Sequence, residues 1–166
     1  MGRPVVVKRS KLLAQLRELG ATPKHVVVGV LGAKGAEKHR ERDAEGNERP
    51  GENTVAEVAQ WNHYGTSTIP ARPFLTIAMQ WHKAELRKTQ ARLAVGILQS
   101  KLTLDQALGL LGQAATNAVK QTIADGVSPD NAPATVHKKG SSTPLINTGQ
   151  LRGSITYEVR EGGETP

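Results

Sequence analysis

The sequence contains no cysteine, so the candidate chemical groups we consider are histidines, serines and carboxylates. The absence of cysteine excludes disulfides, thiolate zinc sites and cysteine nucleophiles. The histidines show neither the paired helical spacing of a metalloprotease nor a nearby carboxylate in a known ligand pattern; they are His25, His39, His63, His82 and His137. We interpret them as loop and surface residues and predict no metal site.

Neither a phosphate-binding loop nor a serine-nucleophile turn is complete in this sequence. The stretch "GVLGAKGA" places glycines after a predicted strand, as a phosphate-binding loop does, but it lacks Gly-Lys followed by Ser or Thr. Ser141, Ser142 and Ser154 lie outside any Gly-x-Ser-x-Gly turn. The carboxylates fall in charged segments that water would solvate, which does not favour a tuned acid and base pair. We expect a protein without catalytic activity and without a cofactor.

The net charge of +7 is local. Residues 1–24 hold six Lys or Arg against one Glu, and residues 81–101 hold five against one. Such clusters suit an acidic surface, DNA included, although a solvated helix face explains them equally well. The candidate contacts in the second cluster are Lys83, Arg87, Lys88 and Arg92.

The first third of the chain alternates ordered and polar segments. Residues 10–20, "SKLLAQLRELG", have the leucine spacing of a short amphipathic helix. The β-branched run "KHVVVGVLG" that follows predicts a strand buried on at least one face. Residues 33–52 contain no apolar side chain larger than Ala, so we predict a mobile, solvated loop there. No stretch has the length and hydrophobicity of a signal peptide or membrane span.

The middle of the chain is predicted to be helical. A helix capped by Asn53 or Thr54 ends at Gly65, and Pro73 opens a long helix that breaks near Gly96 or Ser100. A third pattern of apolar and small residues, with spacings of three and four, ends at Gly126.

The last third contains an extended loop over residues 127–146, a cap at Asn147 or Thr148, a short helical turn and the alternating strand "SITYEV". We predict that this strand pairs with "HVVVGVL", so that the sheet joins opposite ends of the chain. The predicted fold is a single α+β domain over residues 1–166, with three or four helices packed on a small mixed or antiparallel sheet and two long loops.

Residues 61–75, "WNHYGTSTIPARPFL", concentrate three of the five aromatic side chains with one glycine and two prolines. Gly65 lets the backbone leave the preceding helix, and Pro70 and Pro73 stiffen the exit. The aromatic residues would then cover the corner as an apolar plug; they are Trp61, Tyr64 and Phe74. A tight elbow between two helices, needed only for packing, explains the same residues.

Two motifs in this order resemble the tail-completion and neck proteins of long-tailed bacteriophages, including virion-morphogenesis proteins of Mu-like phages. The first is "YGTSTIPARPFL" and the second is "LINTGQLRGSI". The structural corner that corresponds to the first motif comprises Trp61, Tyr64, Gly65, Thr66, Pro70, Arg72, Pro73 and Phe74. The late motif contributes Leu145, Thr148, Gly149, Leu151, Ser154 and Ile155. The sequence departs from the family pattern at Asn147, where Asp is frequent, and in its long charged segment 33–52.

The resemblance implies a virion structural protein, made in the host cytoplasm and located in the neck of the phage. Such a protein forms a homo-oligomeric ring, hexameric in this family, between a head-side connector or stopper protein and a tail terminator or tail tube protein. Genomic DNA would pass through the ring without sequence-specific binding, and no membrane is involved. The alternative is a small basic DNA-binding protein that uses residues 1–24 and 81–101 on phosphates.

Overall fold

The computed structural model describes residues 23–43, 45–133, 135–136 and 143–162, together with positions 13, 14 and 17. The predicted helix over residues 10–20 therefore lies largely outside the described residues. Its three described positions are helical, and Leu13 is half exposed.

The described residues form six helices and four strands, which confirms the α+β class. The strands are β1 (Lys24–Val30), β2 (Lys38–Arg42), β3 (Glu48–Thr54) and β4 (Ile155–Glu161). The helices are α1 (Gly32–Ala36), α2 (Val55–Tyr64), α3 (Phe74–Trp81), α4 (Lys83–Leu98), α5 (Leu104–Asp125) and α6 (Gln150–Ser154).

Strands β1 and β4 form an antiparallel two-stranded sheet, which confirms the predicted pairing of the late alternating strand with the β-branched run. The register pairs Val26 with Val159, Val28 with Tyr157 and Val30 with Ile155. Every second residue of each strand thus points to the same face, and α5 packs against both strands. Ile155 is fully buried, whereas Val159 at the far end of the strand is exposed.

The prediction of an irregular loop over residues 33–52 is wrong. The segment contains α1 and most of an antiparallel hairpin formed by β2 and β3. Asp43 shapes the connection, because its Oδ1 accepts hydrogen bonds from the backbone N–H groups of Glu45 and Asn47 at 3.1 and 2.8 Å. The prediction relied on the absence of large apolar residues. This hairpin does not need them, because its backbone ladder and turn hydrogen bonds hold it rather than a buried face.

Helix α2 begins and ends where the sequence predicts. Thr54 and Glu57 form a reciprocal capping box, and the helix ends at Gly65. The hydrogen bonds from the Thr54 backbone and side chain lower the pKa of the Glu57 carboxyl. Helix α5 likewise begins with a capping box, made by Thr103 and Gln106, and ends at Gly126.

The single long helix predicted after Pro73 is divided in two. His82 adopts φ −96° and ψ 8°, which separates α3 from α4. Both helices pack against α5. The predicted break near Ser100 is present, because α4 ends at Leu98 and Ser100 has a positive φ of 56°.

The main core lies between α5, the β1–β4 sheet, α2 and α3. Its largest fully buried side chains include Phe74, Ile123, Ile155, Val55 and Val119. A smaller cluster of Ile97, Leu104 and Ala107 joins α4 to α5. Helix α5 approaches β4 closely at Gly112, where a Cβ atom would overlap the ring of Tyr157.

Candidate functional site

The corner between α2 and α3 depends on a glycine with a left-handed backbone. Gly65 has φ +82°, and a Cβ atom there would lie 2.9 Å from the backbone nitrogen of Ala71. Beyond it, Thr66 Oγ1 accepts hydrogen bonds from the backbone N–H groups of Thr68 and Ile69 at 3.2 and 3.0 Å. The chain then returns to α2, because the Arg72 N–H donates to the Asn62 carbonyl at 2.7 Å. The corner is therefore a closed, hydrogen-bonded loop.

Arg72 connects this corner by hydrogen bonds to the segment that follows α5. Its side chain is only 5% exposed. Its Nε donates to the Pro129 carbonyl at 2.7 Å and its Nη2 donates to the Asp130 carbonyl at 3.1 Å. Burial lowers the pKa of the guanidinium, and the nearby Asp130 charge opposes that shift. Arg72 thus has a structural role within this chain, because its guanidinium donates to backbone carbonyls rather than facing solvent.

The aromatic plug predicted at the corner is only partly present. Phe74 is 1% exposed, and its ring meets the His63 ring edge-on with a centroid distance of 5.3 Å. Burial lowers the pKa of the His63 imidazole. Trp61 is half-buried. Tyr64, by contrast, is 74% exposed, so its assignment to the plug is wrong. Tyr64 is the last residue of α2, and its ring meets the His63 ring edge-on at a centroid distance of 4.7 Å, on the side exposed to solvent.

The late motif packs into the same core as the corner. Leu145, Leu151 and Ile155 belong to the cluster that contains Phe74, and Ser154 is also buried. Thr148 Oγ1 accepts a hydrogen bond from the Gln150 N–H at 3.3 Å, so the predicted cap residue contacts the start of α6. The predicted cap at Asn147 or Thr148 is nevertheless wrong, because Gly149, with φ +78°, occupies the N-cap position. The structure therefore joins two motifs that are about seventy residues apart in the sequence.

Gln150 is a connecting residue that the sequence analysis missed. Its Oε1 accepts a hydrogen bond from the Arg40 N–H at 2.7 Å, and its Nε2 donates to the Lys38 carbonyl at 3.0 Å. The late motif thereby holds the β2–β3 hairpin by its backbone. A backbone-directed contact of this kind requires no complementary side chain, so no sequence pattern around Lys38 or Arg40 indicates it.

A hollow of about 520 Å³ lies between the hairpin, α2 and the late motif. Its lining includes Glu41, Asn53, Trp61 and Asn147. The Asn147 Oδ1 is buried without a hydrogen-bond partner among the described residues. The lining mixes polar and apolar groups, and no group of three His, Asp or Glu side chains able to hold a metal is present in the described part of the chain.

The four basic candidates on α4 fall into two pairs. Lys83 and Arg87 line an apolar groove between β1 and the helices. Lys88 and Arg92 are exposed and do not line it, and Arg92 pairs with Glu85 at 3.8 Å. The structure thus divides a charge cluster that the sequence presents as one.

Within the described residues, none of the helices combines the length and the hydrophobicity needed to cross a membrane. A comparison of the chain with models of known protein families, with curated proteins and with solved structures gives no match.

Proposed function

We propose that the protein is a structural component of a tailed-phage virion, which forms a ring in the neck and joins the head-side connector to the tail. One observation carries the proposal: the two motifs that resemble tail-completion proteins pack into one core, because Phe74 of the corner belongs to the same buried cluster as Leu151 and Ile155 of the late motif. The resemblance therefore concerns a single structural unit rather than two unrelated stretches.

The open edges of the sheets support an assembling protein. Each sheet has two strands among the described residues, so each leaves strand edges without a partner there. Two-stranded sheets are weak on their own, and head-to-tail contacts around a closed ring can complete such edges. Several large apolar side chains are also exposed, including Val95, Leu98 and Leu110 on the helices.

The exposed Tyr64 offers a direct test of the role of the corner. Tyrosine is enriched among the residues that carry binding energy at protein interfaces. We expect Tyr64→Ala to reduce joining of heads to tails while leaving the folding stability of the subunit nearly unchanged. Trp81→Ala is the matched control, because Trp81 is 60% exposed and lies outside both motifs.

The measurement combines phage complementation with electron microscopy. Without the protein, we expect separate heads and tails to accumulate, and the wild-type chain supplied in trans should restore joined particles. The mass of the protein bound to purified tails should correspond to a ring of six copies. Joined, infectious particles in the complete absence of the protein would rule out the proposed role.

The competing hypothesis is a small basic protein that binds DNA through phosphate contacts. Several of its cations are already paired within the subunit, including Lys24, which lies 2.8 Å from Asp105 and 3.5 Å from Glu161. A phosphate binder with several contacts loses affinity by orders of magnitude between 50 and 200 mM salt. Tight, steeply salt-dependent binding to duplex DNA by the purified protein would favour this alternative.

A further inference from the structure

An apolar groove of about 590 Å³ runs between strand β1 and the helices α3, α4 and α5. Helix α5 contributes Leu111, Ala115 and Val119, and the walls include Leu75 and Leu86. Met79, which is 37% exposed, lies at its margin. The groove is thus a continuous apolar surface that the described residues leave open to solvent.

One wall of this groove is an unpaired strand edge. Four consecutive residues of β1, 25–28, line the groove, although successive side chains of a strand point to opposite faces. A groove that runs along the edge of the strand accounts for four consecutive lining residues, because both sets of side chains and the backbone between them are accessible from that edge. On its other side β1 pairs with β4, and among the described residues no further strand pairs with β1. Every second residue of β1 therefore directs its backbone N–H and C=O away from β4 and toward the groove.

The margin of the groove carries uncompensated positive charge. Lys83 and Arg87 are one helical turn apart on α4, and both are exposed and line the groove. No Asp or Glu of the described chain lines it. Glu85, the one carboxylate in the first turn of α4, pairs with Arg92 instead. A ligand that fits this groove must therefore be apolar along its length and negatively charged beside α4.

We propose that the groove binds an extended segment of a partner protein, in which apolar residues alternate with carboxylates. The segment would add to the free edge of β1 through backbone hydrogen bonds and place its apolar side chains against α5. Its carboxylates would contact Lys83 and Arg87. Alternation suits this site because a strand directs its two sets of side chains to opposite faces.

The charges of this chain favour a partner of different sequence over a second copy. Strand β4 carries carboxylates among apolar residues, but its Glu158 pairs with Arg160 at 2.8 Å and its Glu161 lies 3.5 Å from Lys24. In the hairpin, Glu48 lies 3.6 Å from Arg40. The groove is also unsuited to DNA, because its walls are apolar and phosphates require donors along the whole contact. The inference goes beyond the proposed ring and does not depend on it.

The test uses a capped, fluorescent nine-residue peptide in which Val and Glu alternate, with the full-length protein. We expect saturable binding by fluorescence anisotropy, weaker at higher salt, and amide chemical-shift changes at Val26, Val27 and Val28. A peptide with Lys in place of Glu should bind at least about tenfold more weakly, which corresponds to about 1.4 kcal/mol. A peptide with Pro at its central position should also lose affinity, because Pro removes a backbone donor.

The matched variants exploit the two basic pairs of α4. Lys83→Glu/Arg87→Glu should lower the affinity for the Val-Glu peptide by about tenfold or more. Lys88→Glu/Arg92→Glu changes the net charge equally on the same helix, outside the groove, and should leave the affinity nearly unchanged. Thermal unfolding of both variants checks that each is folded.

Three results would overturn the proposal. The first is absence of saturable binding by the Val-Glu peptide, equal binding of the Glu and Lys peptides, or equal effects of the two double variants. The second is absence of peptide binding together with loss of self-association in Lys83→Glu/Arg87→Glu, which would assign the groove to a second copy. The third is absence of peptide binding together with loss of duplex DNA binding in that variant. None of these results depends on whether heads and tails join, so they are distinct from failure of the proposed function.

Discussion

The two sheets of the protein contain the same number of strands but are stabilised differently. The β1–β4 sheet joins distant parts of the chain and packs its apolar face on α5. The β2–β3 hairpin joins neighbouring segments, and nearly all of β2 is exposed. Burial of apolar area stabilises the first sheet, whereas turn hydrogen bonds, the backbone ladder and Gln150 hold the second. A charged hairpin with little buried apolar area can therefore form on a domain that is stabilised mainly by its apolar core.

The largest expected effect comes from removing the aromatic ring at the centre of the main core. Phe74→Ala should lower the free energy of unfolding by about 3–5 kcal/mol, because it leaves a cavity among fully buried side chains. Denaturant titration measures the change. Tyr64→Ala should change the stability by less than about 0.5 kcal/mol, since the ring is exposed. Equal effects of the two substitutions would contradict the burial difference across the corner.

A substitution at the contact between α5 and β4 should also lower the stability of the protein strongly. Gly112→Ala should destabilise the protein by about 1–3 kcal/mol, because the added methyl group overlaps the Tyr157 ring. Gly109→Ala is the control on the same helix. There the new Cβ would lie 3.6 Å from Tyr157 Oη, an ordinary contact, so the better helix propensity of Ala should stabilise the protein by about 0.5–1 kcal/mol. A loss of stability at Gly109 as large as that at Gly112 would contradict this packing.

Removing the hydrogen bonds by which Gln150 holds the hairpin should lower the free energy of unfolding by a smaller amount. Gln150→Ala removes hydrogen bonds to Arg40 and Lys38 and should cost about 1 kcal/mol. Hydrogen exchange should show faster exchange of the Arg40 amide, with the amides of β1 and β4 unchanged. Gln121→Ala, which removes an exposed contact with Asp125 on α5, is the control. Faster exchange throughout β1 and β4 would mean that the sheets unfold together.

The smallest expected effect is a pH dependence confined to the hairpin. Hydrogen bonds from Asn47 and Glu45 lower the pKa of the Asp43 carboxyl below its ordinary value. Because the pKa is lower in the folded state, the ionised carboxyl stabilises the turn at pH values above the ordinary carboxyl pKa. This contribution is lost as the pH falls through the lowered pKa. We therefore expect hydrogen exchange of the Asn47 amide to accelerate in acid relative to its intrinsic rate.

Asp43→Asn should reduce that acid sensitivity, because the side-chain oxygen remains an acceptor but no longer titrates in this range. Glu45→Gln is the control, since the hydrogen bond at that residue comes from its backbone. An unchanged pH profile in Asp43→Asn would show that another group controls the turn.

The amino-acid sequence determined the start of α2, where the cap of Thr54 with Glu57 acts over three residues. Thr103 and Gln106 have the same spacing, although no cap was predicted there. Gly65 and Gly126 ended their helices as predicted. The period-two pattern of β4 and the β-branched run of β1 were also sufficient to predict their pairing. In each case the signal lies within a few residues or repeats with the period of the element, so it can be recognised without the fold.

Only the tertiary structure decided the hairpin over β2 and β3, the break at His82, the exposure of Tyr64 and the contacts of Gln150. Gln150 meets the hairpin across 110 residues of sequence, through backbone atoms that carry no sequence pattern. The groove likewise exists only because β1 and three helices surround it, and that arrangement separates Lys83 and Arg87 from Lys88 and Arg92. Local capping is encoded by neighbouring residues, whereas burial and long-range contacts depend on which segments the whole chain brings together.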